Sequence, residues 1–136
     1  MRLFLYGTLI DGDVRAGVLG PAAAALALRP ARAPGWRAVY GTGRRYPFLV
    51  RSRGALAPGM LAEGVGPEVV GRLAAYEGPQ YRLGSVDVVA DGAILRASAF
   101  LPRRAALPGR RRFTIERWRA REKEACLAAL AAEGGR

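Results

Sequence analysis

Glycine and proline constrain this chain more than any other feature. There are 18 glycines and 9 prolines among its 136 residues. Glycine lacks a Cβ and proline lacks an amide hydrogen, so both interrupt regular elements. Short apolar runs of strand type survive between the breaks: 2–6 ("RLFLY"), 36–41 ("WRAVYG"), 47–51 ("PFLVR") and 59–65 ("GMLAEGV"). Two more, 83–90 ("LGSVDVVA") and 94–101 ("ILRASAFL"), flank Asp91-Gly92, a dipeptide suited to a tight antiparallel hairpin. Three stretches carry helix signals. Asp13 is placed to cap a helix at 14–19 that Gly20 stops. Pro67 opens and Gly78 ends a helix at 67–78. Thr114 caps a last helix at 114–132. The stretch 21–33 is ambiguous, because its alanines favour helix while Pro30 and Pro34 fragment it.

Many short strands with helices at intervals point to an α+β domain built around a curled sheet or small barrel. No internal repeat, heptad or domain boundary is visible, so one domain over 1–136 is expected. A hydrophobic content of 51% is enough to fill its core. No run of eighteen apolar residues exists, so no membrane span is expected. The N-terminus carries no charged region leading into a long apolar stretch, so no secretory leader is expected either. Cys126 is the only cysteine and cannot form an intrachain disulfide, which fits a reducing cytoplasm.

The formal charge of +11 is almost all arginine, since Lys123 is the only lysine. Such a balance suits anionic partners. It also follows from biased base composition, because the chain is rich in arginine and alanine, which share GC-rich codons. A nucleic-acid role for Arg103, Arg104 and Arg110, Arg111, Arg112 would come with a recognised motif or interleaved aromatics, and neither is present. The segment holding them, 102–112 ("PRRAALPGRRR"), is expected to be an exposed, mobile loop dispensable for folding. Histidine is absent. That removes Ser-His and Cys-His nucleophile systems and histidine metal sites. Catalysis here must rest on carboxylates, tyrosines, arginines or backbone groups.

One carboxylate stands out. In the helix at 67–78, Val69, Val70, Leu73 and Glu77 share a face at about 100° per residue. Glu77 thus falls on the core stripe at the helix C-terminus, just before Gly78-Pro79. The dipole and burial both disfavour its charge there, which suits a general acid/base near neutral pH. Two plainer roles compete: Glu77 reaches the surface, or it pairs with Arg82 as a structural bridge. Tyr81 and Arg82 follow at once and are able to bind a small polar group, or to serve as a core-edge ring and a solvated strand end.

Two segments together carry a resemblance. "FLYGTL" near the N-terminus and "YEGPQYRLGSV" some seventy residues later resemble the γ-glutamylcyclotransferase-like superfamily, which includes γ-glutamylamine cyclotransferases and avirulence-induced-gene-like proteins. "PGWRAVYG" and "RYPFLV", with Tyr46-Pro47, are similar to that family's intervening strands. "ERWRAREKEACLAAL" resembles the terminal tryptophan-containing helix of one bacterial branch. The resemblance implies a small closed or nearly closed mixed β-barrel with flanking helices. It implies that Glu77 is the essential catalytic glutamate and that the loop of Tyr6, Gly7, Thr8 and Leu9 lines the pocket. The amides of that loop would hold the glutamyl end of a small γ-glutamyl substrate, with Tyr46, Tyr81 and Arg82 also lining the site. The implied reaction is attack of a γ-glutamyl amide's α-amine on its own γ-carbonyl, releasing 5-oxoproline with no metal or other cofactor. A pocket of the same fold that only binds such a ligand is the nearest alternative.

Glu122 departs from the pattern. It lies on the apolar face of the last helix with Ile115, Trp118, Cys126 and Ala129, where an apolar residue or a histidine is expected. A salt bridge to an arginine such as Arg82 is the plain reading. If Glu122 instead reaches the pocket, it reshapes substrate choice. Neither the leaving amine nor the oligomeric state, monomer or homodimer, is legible.

Overall fold

The computed structural model describes residues 1–42 and 46–134. Arg45, the first residue of "RYPFLV", lies outside them. The strands among the described residues are β1 (Leu3–Leu5), β2 (Ala27–Gly41), β3 (Pro47–Glu63), β4 (Tyr81–Ala90), β5 (Ala93–Pro102) and β6 (Pro108–Arg112). The helices among the described residues are α1 (Gly12–Leu19), α2 (Pro67–Glu77), α3 (Ile115–Arg121) and α4 (Lys123–Gly134). Short 3₁₀ turns cover Thr8–Ile10 and Gly20–Ala25.

The strands run in the order β3-β1-β5-β4-β2, and β2 pairs back onto β3. The sheet is therefore a closed five-stranded barrel, with β6 as an extra strand on β2. It is mixed: β1 is antiparallel to β3, with Phe4 opposite Leu61, and parallel to β5, with Leu3 opposite Ser98. β1 is only three residues long, yet all three are buried against neighbours on both sides. Side chains of this kind contribute about 1.5–3 kcal/mol each on burial. The strand is held by what it covers.

The separate strand runs at 36–41, 47–51 and 59–65 are parts of two long strands, β2 and β3. These pair from Ala27 opposite Glu63 to Tyr40 opposite Pro47, and the register shifts between Pro34 and Trp36. The ambiguous stretch resolves as a 3₁₀ turn followed by strand. Pro30 and Pro34 are tolerated in β2 because its other edge is paired at only a few residues, such as Arg32 with Val89, so missing amide hydrogens there break no ladder. The hairpin at Asp91-Gly92 forms as expected, with φ of 49° and 77°.

Three further expectations change. The cap of α1 is Asp11, not Asp13: its Oδ1 accepts from the Asp13 and Val14 amides at 2.9 and 3.1 Å. The last helix is two helices, broken at Glu122 (φ −130°) after the Thr114 cap that the sequence indicated. The arginine-rich segment is exposed through much of its length but ends as strand β6, just before which the Thr42 amide bonds the Leu107 carbonyl at 2.7 Å. Arg111 stacks 4.1 Å over the Tyr40 ring.

Asp11 organises one corner. Its Oδ2 receives Arg119 Nε of α3 at 2.8 Å and Lys123 Nζ of α4 at 2.9 Å. One carboxylate thus ties α1 to both sides of the Glu122 break. Arg15 Nη1 donates to the Leu9 and Ile10 carbonyls at 2.9 and 2.7 Å and closes the loop that follows β1.

Candidate active site

Gly78 ends α2 at φ 92°, a conformation that favours glycine, and its amide bonds the Ala74 carbonyl at 2.9 Å. This stop fixes Glu77 as the final helical residue, one turn beyond buried Leu73. The Glu77 side chain lines a cavity of about 290 Å³ together with Thr8, Tyr46, Tyr76, Trp118, Glu122 and Cys126. Thr8 comes from the loop after β1, Tyr76 and Glu77 from α2, and Trp118 and Cys126 from the two C-terminal helices. Burial pushes the Glu77 carboxyl up to about 8. No ion pair among the described residues joins Glu77 to Arg82.

The other residues singled out in the sequence divide. Thr8 Oγ1 lies 2.7 Å from the Tyr76 hydroxyl. A Cβ on Gly7 would stand 2.7 Å from Pro47 Cγ, so the close approach that Gly7 permits is to Pro47 of the same chain. Leu9 is buried in the core and is not among the residues that line the cavity. Tyr46 lines the cavity and accepts a hydrogen bond from Gln80 Nε2 at 2.9 Å. Tyr6 and Tyr81 are buried just behind. Their hydroxyls donate to the Phe100 and Pro47 carbonyls, each at 2.5 Å. Burial raises both phenols, and the nearby Glu77 charge adds to it. Arg82 is not brought to the cavity. It is exposed and lines a surface groove with Gly78, Leu83 and Arg103. Alternation along β4 explains this: Tyr81 points in, so Arg82 must point out. Glu122 does reach the cavity, and no ion pair with Arg82 forms.

The family model for gamma-glutamyl cyclotransferases of the AIG2-like kind matches residues 3–120. The chain belongs to this family. Solved structures share the fold at low identity. A protein of Arabidopsis thaliana known from its solution structure is 24% identical with a TM-score of 0.65, over 94% of this chain and 86% of that one. An uncharacterized protein of Pyrococcus horikoshii is 18% identical with a TM-score of 0.64, over 91% and 97%. A structure titled gamma-glutamyl cyclotransferase is 16% identical with a TM-score of 0.62, over 98% and 79%. No curated protein matches the sequence.

This member of the AIG2-like family builds its cavity partly from residues that sequence reasoning passed over. Tyr76 bridges Thr8 and Cys126, its hydroxyl 3.6 Å from Cys126 Sγ. Gln80 orients Tyr46, and Trp118, almost wholly buried, lines the cavity from α3. The adjacency of Tyr76 to Glu77 at a helix end was the available signal. The Gln80–Tyr46 contact crosses 34 residues of chain and leaves none, while helical spacing had already put Trp118 on one face with Glu122 and Cys126. Among the described residues no group of three or more Cys, Asp or Glu is placed to hold a metal ion, and no helix is long and apolar enough to cross a membrane.

Proposed function

We propose that this protein converts a small γ-glutamyl amide into 5-oxoproline and a free amine, with Glu77 as the proton carrier. The observation that carries the reading is the shared cavity: a carboxyl raised by burial faces the same space as Thr8 of the loop after β1.

The substrate supplies both nucleophile and electrophile. Its α-amine closes on its own γ-carbonyl, and the amide C–N bond then breaks. Two protons leave the α-nitrogen during this exchange, and both end on the departing nitrogen, which leaves as an ammonium. Glu77 accepts and returns them in turn. No protein nucleophile, metal or histidine is needed. The enzyme's main task is to fold the glutamyl chain into a near-attack conformer.

Near pH 7 a carboxyl raised to about 8 is mostly protonated in the empty cavity. An incoming α-ammonium favours the charged form and lowers that value. Substrate binding therefore creates its own base. The glutamyl carboxylate is held by the first amides of the 3₁₀ turn at Thr8–Ile10, which have no partner within the turn.

The test is 5-oxoproline release from γ-glutamyl amides by wild type and Glu77→Gln. Release by the wild type that falls by roughly two to four orders of magnitude in the variant supports the reading. Undiminished release in Glu77→Gln overturns the role of Glu77. Tight binding with no release by either protein leaves a binding module of the same fold.

A further inference from the structure

Glu122 has no assigned task and occupies an unusual place. It sits at the break between α3 and α4, where its amide bonds the Trp118 carbonyl at 2.7 Å and its carbonyl accepts from the Cys126 amide at 3.1 Å. The backbone therefore fixes the direction of the side chain, which lines the same cavity as Glu77. Its Oε2 is buried with no hydrogen-bond partner among the described residues. The nearest basic residues in sequence do not serve it: Arg119 and Lys123 are held by Asp11, and Lys123 also by Asp13 at 2.8 Å. The charges of Arg111, Arg117 and Arg121 reach the Tyr40 hydroxyl together with that of Glu122, yet none of them forms an ion pair with Glu122. The remaining neighbours in the cavity, Trp118, Ala125, Cys126 and Ala129, carry no cation.

A buried carboxylate oxygen without a donor is unfavourable unless something supplies one. In this cavity the ligand is in a position to do so. We propose that Glu122 selects γ-glutamyl amides whose leaving amine carries a second ammonium group, as a diamine does, and disfavours leaving groups that end in a carboxylate. The inference rests on the cyclotransferase reading above. The glutamyl end lies toward Thr8 and Glu77, and the leaving chain extends toward the face of α4. A distal ammonium there gives Glu122 the charge-assisted hydrogen bonds that the protein withholds. The carboxylate of a leaving amino acid would meet a like charge.

Three probes test this: the mono-γ-glutamyl amides of putrescine and of butylamine, which share a four-carbon chain, and γ-glutamylalanine, whose leaving group ends in a carboxylate. Wild type is expected to favour the putrescine amide over the butylamine amide in kcat/KM, with γ-glutamylalanine poorest. In Glu122→Gln the putrescine-to-butylamine ratio should fall by roughly 10- to 100-fold, mainly through KM, and Glu122→Asp should restore part of it. A ratio that Glu122→Gln leaves unchanged, or a wild type without preference for the diamine amide, overturns the proposal. Binding of the same intact amides by Glu77→Gln and by the Glu77→Gln, Glu122→Gln double variant separates this failure from failure of the cyclotransferase reading. A Glu122-dependent preference for the putrescine amide in binding, without 5-oxoproline release by wild type, keeps the cation site and rejects the reaction. Release without that preference keeps the reaction and rejects the cation site.

Discussion

Asp11 and Glu77 are two carboxylates at the same end of the molecule, and the protein treats them in opposite ways. Asp11 is 1% exposed. Burial alone would raise it, but hydrogen bonds from Arg119, Lys123 and the Val14 amide prevail and hold it down to about 2. Glu77 lines a cavity, receives no such partner among the described residues, and is raised by burial to about 8. Burial sets the scale of a shift, and partners set its sign. The first corner spends its cations on a clamp between helices. The second leaves a raised carboxyl facing a cavity.

The largest effect that sharpens the contrast is kinetic. For a base raised to about 8, kcat/KM for a γ-glutamyl amide should rise tenfold per pH unit on the acid side and level off near pH 8. It should fall again only when the substrate's own α-ammonium is lost. Glu77→Gln should lower the whole profile by roughly two to four orders of magnitude. An acid limb with its midpoint near 4 to 5 would mean that Glu77 is an ordinary solvated carboxylate.

The next effect is on stability. Asp11→Ala removes a helix cap and leaves Arg119 and Lys123 without their shared acceptor. Both cations are partly exposed, so the loss should stop at roughly 2–4 kcal/mol, read as a lowered melting temperature or denaturant midpoint. Asp11→Asn keeps a capping oxygen and should lose less. The folded pKa of Asp11 lies below its unfolded value near 3.8. Its contribution is therefore complete above that value and disappears as pH falls through about 2. Equal losses in Asp11→Ala and Asp11→Asn would place the effect in the ion pairs, not the cap.

These two corners were unequally legible from the sequence. The placement of Glu77 could be read because a helix reports its own face: Leu73 and Gly78 fix where the residue points. The barrel emerged only as a class. The runs at 47–51 and 59–65 looked separate because Gly54 interrupts the pattern, while the ladder of β2 and β3 breaks off at Gly35 and resumes beyond the shift in register. Asp11 was missed in favour of Asp13, since each lies at a plausible capping distance, and the cations that Asp11 also holds, Arg119 and Lys123, are over a hundred residues away. Arg82 was expected at the site from its neighbours in the motif, yet strand alternation turns it outward. Long-range pairing, such as that closing the barrel and holding Asp11, left no signal, while the Asp11 cap and the outward turn of Arg82 were local features that the pattern left ambiguous.

Glu77 should also show its cost in stability, with the sign reversed from Asp11. Its folded pKa is raised to about 8 above an unfolded value near 4.5, so the folded state holds an extra proton between those limits. Stability therefore declines as pH rises through that window. Glu77→Gln removes the decline. The variant should match wild type near pH 4.5 and exceed it by about 1–3 kcal/mol at pH 8 and above, measured by urea unfolding at both pH values. A variant less stable than wild type at pH 8 would mean that Glu77 is a structural partner after all.

The smallest effect tests whether burial alone raises Glu77. Tyr76 lies beside it in the chain, and its hydroxyl is bonded to Thr8 and close to Cys126. The Tyr76 phenol is itself raised, first by burial, with the Glu77 charge adding to it, so it stays neutral across the working range. Tyr76→Phe removes a hydrogen bond but no charge. It should cost about 0.5–1.5 kcal/mol of stability and loosen Thr8, raising KM by a few fold. The midpoint of the acid limb should stay near 8, because burial is preserved. If the midpoint moves down by a full unit or more, water has entered the cavity, and the Tyr76 ring and hydroxyl together keep Glu77 dry. If it moves up, the phenol was donating to the charged carboxylate, and Glu77 was never as unpartnered as its contrast with Asp11 requires.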